Sequence, residues 1–338
     1  MYKYVKIYIL NNTMVVKVLE GLENILVKQI PVINNKDTDK RGNISLSSYK
    51  EYIPDGINMI NAPFMWSKGI TGKNVKIAVI DSGCDINHKD LKNRIIGGRN
   101  FTTEDNSNVN KYQDYNGHGT HVCGTIAASN NNYGLTGVAP GARLLVLKSL
   151  DKNGSGTMKS IIDAINFAII QKVDIISMSL GTSTDVPQLH QVIKKAIDSD
   201  ILVVCAAGNE EYRIGNTEEF SYPAAYNEVI SVGAVDFSKS AARFSDSNKE
   251  VDLVAPGVNI ISTFLDGKYE TLSGTSMATP HVAGFLALLI EWSKKEFGRK
   301  LTEVELYGQL IKNTTTLPML RTLQGNGLLF MNPNSILK

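Results

Sequence analysis

From residue 74 onward the chain alternates two kinds of apolar pattern. Continuous runs rich in Val and Ile recur at 75–81 (VKIAVID), 143–150 (RLLVLKSL), 173–180 (VDIISMSL), 201–207 (ILVVCAA) and 229–235 (VISVGAV). Apolar runs without a polar alternate suit parallel strands covered on both faces. Between them, 118–128, 157–172 (TMKSIIDAINFAIIQK) and 187–200 (PQLHQVIKKAIDSD) carry apolar residues at the helical period. A further helix-compatible stretch, FLALLIEWSKKEF, follows SGTSMATPHVAG at 273–284. Strand and helix in alternation predict a three-layer α/β/α domain around a mostly parallel central sheet. In that architecture active sites gather outside the carboxyl ends of the strands.

The first 49 residues read differently. YVKIYIL and TMVVKVL each look like a short strand, and EGLENILVKQIPVI holds a brief helix or another strand. Asn34–Ser48 is polar, with Asn, Gly, Ser and charges throughout, and reads as an exposed linker. A boundary near residue 49 divides an N-terminal extension (1–49) from the main domain (50–338). Residues 1–50 carry eight Lys/Arg against four Asp/Glu, a net of +4; the remainder has 27 against 29, a net of −2. A basic piece on a mildly acidic body fits a segment that docks there, and equally fits solvated charge.

The overall net charge of +2 gives no reason to expect a nucleic-acid partner. No run approaches 18 apolar residues, so no membrane span is expected. The N-terminus lacks the apolar core and small-residue cleavage site of a signal peptide. Cys84, Cys123 and Cys205 are odd in number and show no paired spacing, which suits a reducing compartment. A cytoplasmic location is the expectation.

Three segments place polar, Gly-flanked residues where a strand ends or a helix begins: Asp81 in VIDSGCD, His118 in NGHGTHVCG and Ser276 in SGTSMATPHVAG. The chain order Asp, His, Ser is one by which unrelated folds build an acyl-transfer triad. A serine hydroxyl is a weak nucleophile until an imidazole takes its proton, and the imidazole needs a carboxylate on its other nitrogen. A helix N-terminus behind the serine stabilises developing negative charge. His118 and His121 could also be read as a metal-binding pair, but no third ligand stands at metal spacing and the flanking glycines suit a tight turn better. His121 is expected to pack within its helix, and His88 and His190 to lie at the surface. Ser273, Thr275 and Thr279 are expected to cap or bond locally. His281, five residues into the same helix, points away from Ser276. Cys123 is either a buried packing thiol or one open to thiol reagents.

VIDSGCD, NGHGTHVCGTIA and LSGTSMATPHVAG together resemble the three active-site signatures of the subtilisin-like serine proteases. The likeness continues through ISMSLG, CAAGNE, YPAAYNEVISVGAVD and DLVAPGVNIIST, over about five sixths of the chain. The resemblance implies the subtilisin-like fold, with Asp81 as orienting carboxylate, His118 as general base and acid, and Ser276 as nucleophile. It implies Asn209 as oxyanion donor beside the Ser276 N–H. Gly154, Ser155 and Gly156, with Ser179, Leu180 and Gly181, match the two backbone segments that hold a substrate strand between them. Ala206, Ala207 and Gly208 match the walls of the pocket for the side chain before the scissile bond, while Phe220 and Ser221 depart from the family pattern at its floor.

The resemblance also implies a structural Ca²⁺ site. Asn131 supplies a side-chain oxygen, Ser129, Tyr133 and Leu135 supply carbonyls, and Asp90 and Glu51 supply carboxylates, a set that suits calcium; the other reading of this loop is an Asn-rich turn. Alignment with mature subtilisins puts a processing site at Tyr49–Lys50, making residues 1–49 an inhibitory prosegment removed by self-cleavage. Gln29–Val32 (QIPV) resembles the Leu-Ile-Pro-Tyr-like element with which intracellular subtilisins block their own site. The body is most like that intracellular branch, whereas the calcium loop is nearer the secreted one. The implied function is a serine endopeptidase acting on protein and peptide substrates through an acyl-enzyme. A leader-peptide or proenzyme maturation protease of narrow specificity, as in lantibiotic pathways, is the alternative. A non-catalytic pseudoprotease is a third reading, against which Asp81, His118, Ser276 and Asn209 are all present.

Overall fold

The computed structural model describes residues 22–30, 51–210 and 218–336. Tyr49, Lys50, the two strands expected within 4–19 and the linker Asn34–Ser48 lie outside the described residues. In chain order the strands are β1 Leu26–Gln29, β2 Lys76–Asp81, β3 Ile95–Asn100, β4 Arg143–Lys148, β5 Ser155–Thr157, β6 Ile175–Met178, β7 Leu180–Gly181, β8 Leu202–Ala206 and β9 Ile230–Val235, and the five buried Val/Ile runs supply β2, β4, β6, β8 and β9 as their pattern requires. Beyond them come β10 (Leu253–Pro256), β11 (Ile260–Thr263), β12 (Tyr269–Leu272), β13 (Thr314–Thr315) and β14 (Leu328–Leu329). A nine-stranded sheet has the order β13-β14-β10-β9-β8-β6-β2-β4-β3. Its strands from β3 to β10 pair in parallel, β14 joins β10 in parallel, and β13 is antiparallel to β14.

Helices cover both faces. The short α1 (Asp55–Met59) and α2 (Ala62–Ser67) lead into the sheet, followed by α3 (His118–Ala127), α4 (Met158–Ile170), α5 (Pro187–Asp198) and α6 (Thr275–Phe297). Residues of α3 and α6 share one apolar core with β2, β4 and β9, through Val122, Ile126, Val79, Val146, Val232 and Phe285. Residues of α4 and α5 share the core on the opposite face, through Ile161, Ile165, Val192, Ile80 and Ile176. The three layers are those the alternating pattern predicts.

Helix α6 contains Pro280, which has no N–H to give to the carbonyl four residues back. That carbonyl belongs to Ser276. Its hydrogen bond comes instead from Ser179 Oγ, 3.0 Å away, so the proline break ties the helix start to the end of β6.

Candidate active site

Asp81 is the last residue of β2, and His118 is the first of α3. Asp81 Oδ1 lies 2.8 Å from His118 Nδ1, both side chains being buried. The turn into α3 is fixed by Asp114, which sequence reasoning passed over. Its Oδ1 accepts from Ser82 Oγ (3.0 Å), Asn116 N (2.8 Å) and Gly117 N (3.0 Å), and its Oδ2 from Thr120 N (2.9 Å) and Oγ1 (2.6 Å). An acid just ahead of a Gly and a helix start was the available signal. Gly119 allows the close approach: a Cβ there would stand 2.2 Å from the Gly83 carbonyl oxygen.

A second residue not singled out is Lys148, fully buried at the end of β4. Its Nζ donates to the Ser82 carbonyl at 2.7 Å and pairs with Glu104 at 2.9 Å. Inside an apolar strand run it read as one polar residue among many. Only the neighbouring strand, where Asp81 pairs with Lys148 in register, gives it this role.

Burial works against a charge on His118, but the Asp81 carboxylate outweighs it and leaves the imidazole above its ordinary pKa. The other histidines differ. Burial takes His121 down to about 3, and its Nε2 faces the carbonyls of Ile260 (2.9 Å) and Glu270 (3.2 Å). His281 falls to about 4 through burial; its Nδ1 donates to the Met277 carbonyl at 2.8 Å, away from the Ser276 hydroxyl as expected. His88 corrects an expectation: it is buried rather than at the surface. Its Nε2 faces the Lys268 carbonyl, its Nδ1 accepts the Asp90 N–H, and its ring meets Tyr269 edge-on at 5.3 Å. An exposed-looking polar neighbourhood in sequence concealed a ring packed under a distant hairpin. His190 is half-buried and pairs with Glu228 at 2.9 Å.

Ser276 sits in the first turn of α6. Its hydroxyl donates to the Ser179 carbonyl at 3.3 Å, while His118 Nε2 is buried with no hydrogen-bond partner among the described residues. The carboxylate–imidazole link is therefore made and the imidazole–hydroxyl link is open. Catalytic hydrogen bonds commonly tighten only when substrate is bound. Asn209, just past β8, is oriented from α6. Its Oδ1 accepts the Thr275 N–H (3.0 Å) and hydroxyl (2.9 Å), which turns the amide nitrogen toward Gly274. Thr275 was expected to bond locally, and instead it reaches a residue 66 positions away. Ser273 accepts the Asn259 N–H, and Thr279 bonds locally to the Thr275 carbonyl.

The two expected substrate-binding segments, β5 and β7, already hold a strand. That strand is β1, antiparallel to both: Val27 pairs with Gly156, Lys28 with Ser155 and Gly181, and Gln29 with Leu180. The Gln29 N–H donates to the Gly154 carbonyl at 2.8 Å. Continuing the register by one residue sets Ile30, which is buried, against Ser179. Of the 20–33 stretch, open between helix and strand in the sequence, the described residues 22–30 form both: a 3₁₀ turn at Leu22–Asn24 and then β1. Val27 is buried against α4 because β1 lies across the cleft, not because of any local signal.

Ala206, Ala207 and Gly208 are buried at the end of β8. Ser221 lies against this wall and its opposite: a Cβ on Gly181 would stand 2.1 Å from Ser221 Oγ, and one on Gly208 would stand 3.3 Å from Ser221 Cβ.

The expected calcium ligands converge on one loop. Ser129 N donates to the Asp90 carbonyl, Asn131 Nδ2 to Asp90 Oδ1 (3.2 Å), and Leu135 N to Asp90 Oδ2 (3.2 Å). Glu51 Oε2 accepts the N–H groups of Asn131 (2.8 Å) and Tyr133 (3.2 Å), and its other oxygen meets the Thr136 hydroxyl. The candidate donors are all oxygens, and Ser129 Oγ is buried there without a hydrogen-bond partner among the described residues, which fits a hard cation. No group of three or more His, Cys, Asp or Glu that could hold a metal occurs among the described residues, so a cation here would rely on amide and carbonyl oxygens as well. The three cysteines are free and buried; burial, together with the neighbouring Cys123 thiol, raises the Cys84 thiol well above its ordinary value.

A buried carboxylate–imidazole pair at the carboxyl end of a parallel strand, with Ser276 opening α6 on the same face of the sheet as the helix that carries the imidazole, is an arrangement suited to a serine hydrolase of the α/β/α class. The subtilase family model matches residues 72–327. The chain is 56% identical over 280 residues to the major intracellular serine protease of Bacillus subtilis, covering 82% of this chain and 88% of that one. It is 58% identical over 279 residues to an intracellular serine protease of Paenibacillus polymyxa, covering 82% and 85%. With subtilisin E of Bacillus subtilis it shares 47% over 263 residues, 77% of this chain and 68% of that one. The chain belongs to the subtilase family and is a serine endopeptidase. Among the described residues no helix is long and apolar enough to cross a membrane.

Proposed function

We propose that this endopeptidase cleaves its protein substrates through an acyl-enzyme on Ser276. His118 Nε2 takes the Ser276 proton as Oγ attacks the scissile carbonyl, then gives it to the departing amine. Water activated by the same nitrogen releases the acyl group. Asp81 holds the imidazole in the tautomer that leaves Nε2 free to accept, and stabilises the imidazolium. The Asn209 amide and the Ser276 N–H receive the developing oxyanion. The observation that carries this reading is the 2.8 Å Asp81–His118 pair whose far nitrogen has no hydrogen-bond partner among the described residues.

The N-terminal extension is read as the enzyme's own inhibitor, removed by self-cleavage at Tyr49–Lys50. Supporting it, β1 occupies the hydrogen-bonding edges that a substrate strand needs, and Ile30 is followed by Pro31, whose ring nitrogen makes a poor scissile position. Calcium is proposed at the Asp90–Asn131 loop, where it would cross-link Glu51 to the body. The names of the two relatives above and the three free thiols support work inside the cell.

The test is direct. Phenylmethylsulfonyl fluoride should abolish casein hydrolysis, and Ser276→Ala should do the same. N-terminal sequencing should find Lys50 first in wild type and Met1 in Ser276→Ala. Hydrolysis that survives both treatments would sink the mechanism, and Met1 in both proteins would sink self-processing alone.

A further inference from the structure

The Asp81 carboxylate has one hold besides its histidine. Oδ1 meets His118 Nδ1 at 2.8 Å and accepts the Ser82 N–H at 2.7 Å, while Oδ2 is buried with no hydrogen-bond partner among the described residues. The direction of the carboxylate therefore depends on Ser82. Ser82 is itself bonded through its other polar groups. Its Oγ donates to Asp114 Oδ1 at 3.0 Å and accepts the N–H of Gly119, the residue after His118, at 2.9 Å. Its carbonyl accepts from Lys148 Nζ at 2.7 Å. Ser82 thus touches both members of the pair, and a buried charge holds Ser82.

Lys148 reaches that carbonyl because β4 runs parallel to β2 with Lys148 opposite Asp81. An ammonium with no exposed surface is costly to keep unless it is paired and bonded. Glu104 Oε2 pairs with it at 2.9 Å without the alignment of a hydrogen bond, and the Tyr115 ring centroid lies 5.2 Å from Nζ. The directed bond is the one to Ser82. The other Glu104 oxygen accepts the Lys152 N–H at 3.0 Å, and Asn116 Nδ2 donates to the Lys152 carbonyl at 3.0 Å. Lys152 lies two residues before Gly154, whose carbonyl accepts the Gln29 N–H of the strand paired there. One ion pair thus connects the approach to β5 with the residue that aims Asp81.

We propose that Lys148, oriented by Glu104, is a positioning residue for the triad, acting through Ser82 to keep the Asp81 carboxylate aimed at His118 Nδ1. The inference rests on the protease reading above and deepens it. A lysine suits the task because its ammonium is a compact donor on a long stem and can meet a single carbonyl oxygen in a narrow space. With methionine in its place the Ser82 carbonyl loses this donor while still buried, and Ser82 is free to turn from Asp81.

The experiment compares wild type, Lys148→Met and Glu104→Gln as full chains. It measures the rate of labelling by phenylmethylsulfonyl fluoride and kcat/KM on one fluorogenic peptide, each across pH. Lys148→Met should lose about a hundredfold in labelling rate and in kcat with KM little changed, the cost of a misaimed catalytic group. Glu104→Gln, at a partly exposed position, should lose about tenfold in both, and it decides the question if Lys148→Met does not fold. Burial lowers the His118 pKa and Asp81 more than offsets it, with Asp114 adding to the rise; His121 is the other titratable neighbour. A carboxylate turned away raises the imidazole less, so the midpoint of both pH profiles should fall below that of wild type. A lysine that only supports the fold would lower the melting temperature and the yield of labelled protein while leaving the midpoint in place. An unmoved midpoint in the folded variants overturns this inference alone. A wild type that neither cleaves the peptide nor is labelled overturns the protease reading with it.

Discussion

Ser179 and Ser276 are bonded to each other twice. Ser179 Oγ donates to the Ser276 carbonyl at 3.0 Å, and Ser276 Oγ donates to the Ser179 carbonyl at 3.3 Å. The first bond exists because Pro280 cannot supply the helical N–H. It fixes the Ser276 backbone to the segment that leads into β7, so the proposed attacking oxygen and a strand paired with β7 share one frame. Ser179→Ala leaves that carbonyl buried and unpaired, an expected cost of about 1–3 kcal/mol. Thermal melting should show the loss, and single-turnover acylation should slow by more than deacylation, since attack depends on the hydroxyl's position.

The Asp81–His118 pair sets the pH response. Asp81 raises the His118 pKa in the folded enzyme against the effect of burial. The protonated pair therefore adds stability that is fully present below the unfolded histidine value and lost as pH rises through the folded one. Activity runs the other way, because only neutral imidazole takes the Ser276 proton. The kcat/KM profile of wild type should rise with a midpoint above the ordinary histidine value of about 6.5. Asp81→Asn should move that midpoint down and lower kcat by about 10⁴-fold. An unmoved midpoint in the variant would show that another group titrates.

Val27, buried opposite Gly156, is the side chain through which β1 can be loosened without touching the catalytic residues. Val27→Asp places an unpaired charge there, which is strongly disfavoured. Freshly purified Val27→Asp should begin hydrolysing peptide at least about tenfold faster than wild type, with a shorter lag. Equal initial rates would show that the strand does not hold the enzyme off.

At the Asp90–Asn131 loop, EDTA should lower the melting temperature of wild type. At calcium about a hundredfold above its dissociation constant the stabilisation amounts to about 2.7 kcal/mol. Asp90→Ala should melt lower and respond little to either chelator or added calcium. A wild-type melting temperature indifferent to EDTA would return the loop to a hydrogen-bonded turn held by Glu51 and Asp90 alone.

Local pattern alone determined the five buried strand runs and the three helices between them, because periodicity depends on neighbours a few residues apart. The runs at 75–81 and 201–207 became β2 and β8 with boundaries shifted by one residue at each trimmed end. The three polar motifs named Asp81, His118 and Ser276, since each carries its own turn or helix start. Other features depend on residues far apart in the chain, and only the tertiary structure decided them. His88 is buried because the β11–β12 hairpin covers it, and Lys148 matters because it lies in register beside Asp81. The small sheet in which segment 26–29 lies between 155–157 and 180–181 is likewise joined by backbone hydrogen bonds that leave no trace in side-chain periodicity.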